Sequence, residues 1–181
     1  RPTRRCSKVS DAALYAFEPF GSLDGVLAGA PIKIMPVGTF YRDSRKLTIT
    51  PERLQEFAAN VAAGLPRFRI PINENHGGVG KVGTVSAIAY MPLGPDGDGL
   101  YATEYELTDA GKQLVTSKRF DAVSPEAVWT LNDGAKYQDP QTGKKHDNVL
   151  VGLALTDRPF FGHDNVATQS SRQPCKPSLR K

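Results

Sequence analysis

The chain has 181 residues, of which 39% are hydrophobic, and a formal net charge of +4 at pH 7. This length and composition suit a single domain with a hydrophobic core and leave little room for a second one. No apolar run approaches the ~20 residues that a membrane-spanning helix needs, and no apolar segment follows the basic N-terminal residues. We therefore expect neither a membrane partner nor a signal peptide.

Much of the excess positive charge lies in two end segments, residues 1–11 and 164–181. Both lack apolar periodicity, so they cannot bury enough surface to offset the entropy lost on ordering. We predict two basic tails around a domain over residues 12–163, with their main contacts outside that domain. An acidic protein surface suits them better than nucleic acid, because the central region lacks interleaved basic and aromatic residues.

Deletion of residues 164–181 is therefore expected to leave the melting temperature of the domain nearly unchanged. Thermal unfolding of the shortened and full chains would measure this. In a chain of this size 1 kcal/mol corresponds to about 2–4 °C. A fall well beyond that would show that the segment packs against the domain.

The only two cysteines, Cys6 and Cys175, lie in the predicted tails and lack the spacing of a metal-binding knuckle. We interpret them as free thiols of a reducing compartment, and a disulfide that joins the tails is the alternative.

The first third of the chain contains three strand candidates. They are Ala12–Phe17, Pro31–Pro36 and Val37–Tyr41, the last as a continuation of the second after a kink. Residues 21–30 are rich in glycine and alanine and predict a loop.

The strongest helix pattern covers Pro51–Ala63. Thr50 can cap it, and proline suits the first helical position. Apolar side chains recur with i, i+3, i+4 and i+7 spacing, which gives one face for the core. Gly64 is a natural terminator.

The rest of the chain is mostly strands. In order it predicts a strand that enters His76, a β-hairpin over residues 84–107, a helix over about residues 109–117 capped by Thr108, a strand over Phe120–Leu131 and a buried strand over Val149–Leu155. Together these elements predict an α+β domain built around a curved or barrel-like, mostly antiparallel β-sheet flanked by helices.

Two segments carry candidate catalytic residues. His76 stands at the mouth of a glycine-rich turn, and Ser124 stands in a later predicted strand. A serine and a histidine within hydrogen-bond reach can act as nucleophile and general base, so we expect His76 and Ser124 to face each other across neighbouring strands. Pro125 has no backbone N–H, so the amide after Ser124 cannot help to form an oxyanion hole. The alternative is a Ser-Pro bend at a strand end and a histidine on an exposed turn.

A metal site is another interpretation of the same region. Glu74 and His76 are separated by one residue, so on an extended chain their side chains would point to the same side. Neither His146 nor His163 adds the i, i+4 helical spacing that zinc sites favour. A metal-dependent hydrolase is therefore kept as an alternative.

A series of short segments follows one order along residues 31–160. They are Pro36-Val-Gly-Thr-Phe40, the amphipathic helix, Ile72-Asn-Glu-Asn-His76, Val82-Gly83, Gly99-Leu-Tyr-Ala-Thr-Glu-Tyr-Glu-Leu-Thr108, Phe120-Asp-Ala-Val-Ser124-Pro-Glu126 and Leu153-Ala-Leu-Thr-Asp-Arg-Pro159. No single segment is specific. As an ordered set they resemble the tailed-phage prohead (capsid maturation) proteases, and among these the Mu-like type.

The resemblance implies a fold similar to the herpesvirus assemblins and a serine protease without a cofactor, with Ser124 as nucleophile and His76 as base. It implies phage scaffold and major capsid proteins as substrates, inside the assembling prohead in the host cytoplasm. It also implies contacts with further copies of the chain or with other head proteins. Arg158 lies where assemblins place arginines near the oxyanion. A catalytically silent, protease-like structural or scaffold-associated head component is the alternative.

The group that orients His76 is left open by the resemblance. Related phage proteases carry an acidic residue at the position that matches Gly152. The assemblins use a second histidine at the start of the comparable strand, where this chain has His146 and Asp147. His146, Asp147, Asp157 or a water are therefore the candidates.

Overall fold

The computed structural model describes residues 23–42, 45–76, 80–120, 122–131 and 134–156, and the structural statements below concern these residues. They form three helices and ten strands. The helices are α1 (Leu23–Leu27), α2 (Pro51–Ala62) and α3 (Asp109–Thr116). The strands are β1 (Ile32–Pro36), β2 (Gly38–Arg42), β3 (Arg45–Ile49), β4 (Ile70–Glu74), β5 (Lys81–Gly94), β6 (Gly97–Leu107), β7 (Ala122–Val128), β8 (Tyr137–Gln138), β9 (Lys145–His146) and β10 (Val149–Thr156).

Six strands form the main sheet, in the order β1-β6-β5-β4-β10-β7. Neighbouring strands pair antiparallel except for β4 and β10, which are parallel. The two edge strands, β1 and β7, approach within 8 Å between Cα atoms, so the sheet curls into a nearly closed, barrel-like form. The predicted α+β class and curved, mostly antiparallel sheet are confirmed.

Helix α2 forms where the capping and apolar pattern placed it. The Thr50 hydroxyl accepts a hydrogen bond from the Arg53 amide at 3.4 Å, and Gly64 follows the helix with a φ of 78°. Leu54 and Phe57 are fully buried, as the apolar face predicts. The helix packs against β5, β6 and β10.

The hairpin of β5 and β6 confirms the pairing predicted over residues 84–107, and both strands extend further. Helix α3 is confirmed too, with the Thr108 hydroxyl accepting from the Gly111 amide at 3.2 Å. The strand over Val149–Leu155 corresponds to β10 and is almost entirely buried.

Several elements differ from the sequence-based expectation. Residues 21–30 contain the short helix α1 rather than only a loop. A strand follows β1 after a bend at residue 37, as predicted, but this strand, β2, leaves the main sheet and pairs with the unpredicted strand β3. The short pair β8–β9 was not predicted either.

Some predictions fall on other parts of the chain. The strand over Ala12–Phe17, the tail boundaries at residues 11 and 163, and both cysteines lie outside the described residues. Within the described ranges, no helix is long and apolar enough to cross a bilayer.

The two faces of β4, β10 and β7 differ in chemistry. Leu153 pairs with Ile72, and Leu155 pairs with Val123, and all four side chains belong to the hydrophobic core. Because side chains alternate along a strand, the intervening residues lie on the opposite face. That face carries the candidate site.

Candidate functional site

Asn73, Ala154 and Ser124 form one row across three strands of the sheet. Ala154 of β10 pairs with Asn73 of β4 on one side and with Ser124 of β7 on the other. Directly paired residues share a face of the sheet. Ser124 has 0% of its surface exposed and Asn73 has 5%, so the row is buried.

The next row along the same face begins with Glu126 of β7. Glu126 pairs with Gly152 of β10, two residues before Ala154. Alternate residues of a strand lie on one face, with Cα atoms about 7 Å apart. Ser124 and Glu126 therefore present their side chains to the same side of β7.

His76 reaches this face from a turn after β4. Asn75 adopts a φ of 60°, in the left-handed region, and its amide donates to the Leu155 carbonyl at 2.9 Å. This hydrogen bond ties the turn to the end of β10. His76 follows with 46% of its side chain exposed, and its Nδ1 lies 3.2 Å from Glu126 Oε1.

The Glu126 carboxylate bridges two partners with its two oxygens. Oε1 faces His76, and Oε2 accepts a hydrogen bond from Asn73 Nδ2 at 3.4 Å. Its side chain is 24% exposed, so the contact is partly shielded from solvent. A carboxylate at Nδ1 favours the tautomer with the proton on Nδ1, which leaves Nε2 free to accept a proton.

The structure thus places both sequence-predicted residues near the Glu126 carboxylate. His76 contacts Glu126, and Ser124 lies two residues before Glu126 on the same face of β7. The expectation that His76 and Ser124 face each other across neighbouring strands is corrected in one respect. Strand β10 lies between β4, which leads to the histidine, and β7, which carries the serine.

Glu74 and His76 do not act as a pair. The Glu74 carboxylate lies 3.1 Å from the Arg119 guanidinium, whereas His76 contacts Glu126. The positive φ of Asn75 takes the backbone out of the extended form that would have aligned the two side chains. No group of three His, Cys, Asp or Glu side chains gathers anywhere in the described ranges.

Asp147, one candidate for orienting His76, has other partners. Its carboxylate accepts from the Thr130 amide at 2.7 Å, the Thr130 hydroxyl at 2.6 Å and the Asn148 amide at 2.9 Å. Partial burial raises the pKa of Asp147, but these hydrogen bonds and the nearby Arg53 charge together lower it. These contacts secure the start of β10.

His146, the second candidate, lies in β9 and pairs with Tyr137 of β8. Both His146 and Asp147 precede β10, whereas the site lies near its far end at Ala154. Ala154 lies five residues into β10 from Val149, or about 16 Å at ~3.3 Å per residue. Glu126, which was not among the open candidates, contacts the histidine. Asp157 and Arg158 lie outside the described residues.

Glu126 is the functional candidate that the sequence analysis missed. It stands inside the segment that carries the family resemblance, two residues after Ser124. The alternation of side chains along the predicted strand could have placed both on one face. The contact with His76 depends on strand order and could not be inferred from local pattern.

A groove of about 640 Å³ opens at the other end of β4, lined by residues that include Ile70, Thr84, Val85 and Phe68. Its lining contains neither His76 nor Ser124. It is therefore a separate feature from the candidate site.

The chain was compared with protein-family models, with curated proteins and with solved structures, and none of the three comparisons finds a match.

Proposed function

We propose that this protein is a serine endopeptidase in which Ser124 is the nucleophile and His76 the general base. The observation that carries the proposal is the 3.2 Å contact between His76 Nδ1 and Glu126 Oε1. It ties the histidine to the strand and face that present Ser124. A nucleophile, a base and a group that holds the base are the parts that acyl transfer requires.

In this mechanism Ser124 Oγ attacks the carbonyl carbon of the scissile peptide while His76 Nε2 takes the hydroxyl proton. The tetrahedral intermediate collapses, the C–N bond breaks, and His76 gives that proton to the leaving amine. A water then attacks the acyl-enzyme ester, with His76 again accepting and returning a proton. General acid–base catalysis of this kind contributes about 10²–10⁴-fold to the rate.

The oxyanion of the intermediate needs a donor other than the amide that follows the nucleophile. Pro125 has no N–H, so the residue after Ser124 cannot donate. The family resemblance suggests Arg158 for this role. Its long side chain and fixed positive charge suit an oxyanion.

The substrates proposed are the scaffold and major capsid proteins of a tailed phage, cleaved inside the assembling prohead. This part rests on the ordered sequence resemblance over about residues 31–160. The barrel-like α+β sheet supports it, since the resemblance implies an assemblin-like fold. The His76 side chain is 46% exposed, so the base is accessible to a substrate peptide.

A second candidate is a catalytically silent, protease-like head component. The observation that favours it is the complete burial of Ser124. A nucleophile has to touch the substrate carbonyl, so a serine with no exposed surface would need a local opening before it could react.

Labelling with a fluorophosphonate tests the proposal without knowledge of the natural substrate, because this reagent phosphonylates serines activated by a base. The expected result is one adduct, located on Ser124 by mass spectrometry. The purified chain should also cleave its own phage's scaffold protein, with the same rate in EDTA. Absence of both adduct and cleavage would favour the silent component. Cleavage that EDTA abolishes would favour a metal-dependent hydrolase.

A further inference from the structure

We infer that Glu126 is the positioning residue for His76 and that Gly152 provides the space that allows it to act from β7. The catalytic role of Glu126 in this inference rests on the proposed function. Its geometry rests on contacts among the described residues.

The Glu126 carboxylate is fixed at both oxygens. The Asn73 amide donates to Oε2 at 3.4 Å, and His76 Nδ1 lies 3.2 Å from Oε1. Asn73 itself is 5% exposed, so its side chain has little freedom to move. A carboxylate held in one plane holds the imidazole in one orientation, as in other histidine sites oriented by a carboxylate.

Strand β10 lies between Glu126 and the β4 side of the site, and its residues on this face are small. Gly152 pairs with Glu126, and Ala154 pairs with Ser124. The pairing of β10 with β7 shifts register between Leu150 and Gly152, which is a β-bulge that re-aims the strand locally. Small side chains on β10 leave a passage across the strand from β7 to β4.

Gly152 is required for this passage. A Cβ atom built on it would collide with Glu126 Oε2 and would lie 3.3 Å from Glu126 Cδ. The Glu126 carboxylate thus occupies the volume where a side chain from position 152 would begin. A side chain from position 126 or one from position 152 can fill this volume, but not both.

Glu126 touches the histidine rather than the substrate, so its role is to set the tautomer and orientation of His76. With the proton held on Nδ1, Nε2 is the nitrogen that accepts the Ser124 proton. The carboxylate also stabilises the imidazolium that forms during attack.

Replacement of Glu126 by alanine tests the role through two readouts. The rate constant of fluorophosphonate labelling should fall about 10²–10⁴-fold, and in peptide cleavage kcat should fall with little change in KM. Independently, ¹⁵N NMR of the His76 ring should change from the Nδ1–H tautomer in the wild type to a largely Nε2–H form. A merely structural glutamate would leave that spectrum unchanged.

Glu126→Gln separates charge from geometry. Its amide oxygen can still accept from Nδ1–H, so the tautomer should be largely kept while the labelling rate falls, because the imidazolium loses its negative partner. This variant also serves if Glu126→Ala folds poorly.

Gly152→Ala should lower the labelling rate in the same way as Glu126→Ala, although the carboxylate is still present. The atom that the new methyl group meets is the end of a flexible side chain, so the carboxylate moves away and the fold is retained. The double variant Glu126→Ala with Gly152→Glu tests the exchange of positions. In it, Cβ of residue 126 is 3.5 Å from the new Cβ, which is ordinary contact. Its rate constant of labelling should be at least about tenfold higher than that of Glu126→Ala alone.

The matched control is Glu104→Gln, an exposed glutamate on β6, which should change neither readout. The inference would be overturned if the Glu126→Ala protein were labelled at the wild-type rate and kept the Nδ1–H tautomer of His76. If the wild type is neither labelled nor cleaves its scaffold protein, the proposed function fails, and the tautomer experiment alone then decides whether Glu126 positions His76.

Discussion

Replacement of Ser124 by alanine is expected to abolish fluorophosphonate labelling and peptide cleavage while the fold is kept. Loss of the nucleophile in a serine protease lowers kcat by on the order of 10⁶-fold. The measurement is the labelling rate by mass spectrometry, together with scaffold cleavage on gels. No other variant named here should have as large an effect on activity.

Stability should change little in the same variant. Alanine removes one buried hydroxyl, and the hydrogen bonds of a hydroxyl contribute on the order of 1 kcal/mol. For a chain of this size that corresponds to about 2–4 °C in Tm. Circular dichroism melting separates loss of chemistry from loss of fold.

The control is Ser86→Ala, which removes an exposed strand serine whose hydroxyl donates to the Glu104 carbonyl at 3.3 Å. It should retain full activity. Cleavage at the wild-type rate by the Ser124→Ala protein would show that Ser124 is not the nucleophile, whatever the geometry of His76.

Replacement of Asp147 by alanine is expected to have a large effect on stability and none on labelling of Ser124. The change removes three hydrogen bonds to a carboxylate, from Thr130 and Asn148. Hydrogen bonds to charged groups contribute about 1.5–3 kcal/mol, so a loss of at least ~2 kcal/mol in the free energy of unfolding is expected. Urea unfolding at pH 7 measures it.

The effect should depend on pH with a definite sign. The pKa of Asp147 in the folded protein is lowered from its usual value of 3.8. The carboxylate therefore stabilises the fold fully above about pH 5, where it is ionised in both the folded and unfolded states. This contribution is lost as pH falls below 3.8 and through the lowered pKa of the folded state. The difference between wild type and variant should be constant near neutral pH and shrink below about pH 4.

Asp109→Ala is the matched control, because its side chain is 98% exposed. It makes only a weak contact with Lys112 and complements the N-terminal end of α3, so its cost should stay below about 1 kcal/mol. If Asp147→Ala abolished labelling in a folded protein, Asp147 would belong to the active site and the assignment of Glu126 would be wrong.

Local sequence patterns were sufficient to predict several elements of the fold. Thr50, Pro51 and the apolar repeat define α2, since capping and amphipathicity act within a few residues. The hairpin of β5 and β6 also follows from a short turn between two strands. Strand β3 was missed because its partner β2 was expected to continue β1.

In the candidate site, too, the sequence predicted some residues and missed another. His76 and Ser124 were selected from the sequence through the family resemblance, because residue type alone does not single out one serine of the chain. The sequence analysis named Asp147 among the candidates and missed Glu126, because no local pattern shows which acidic residue reaches the histidine. The order of the strands separates them: Asp147 lies at the start of β10, and Glu126 lies beside Gly152 near the histidine.

The sequence by itself therefore determined helices α2 and α3, the main hairpin, the buried strand and the two residues proposed for chemistry. Only the tertiary structure decided the parallel pairing of β4 with β10, which ties the turn before His76 to the end of β10. It also decided that a carboxylate from β7 crosses a glycine on β10 to reach that histidine. The physical reason is that local propensities act over a few residues, whereas this contact joins residues 50 apart through strand order and one missing side chain.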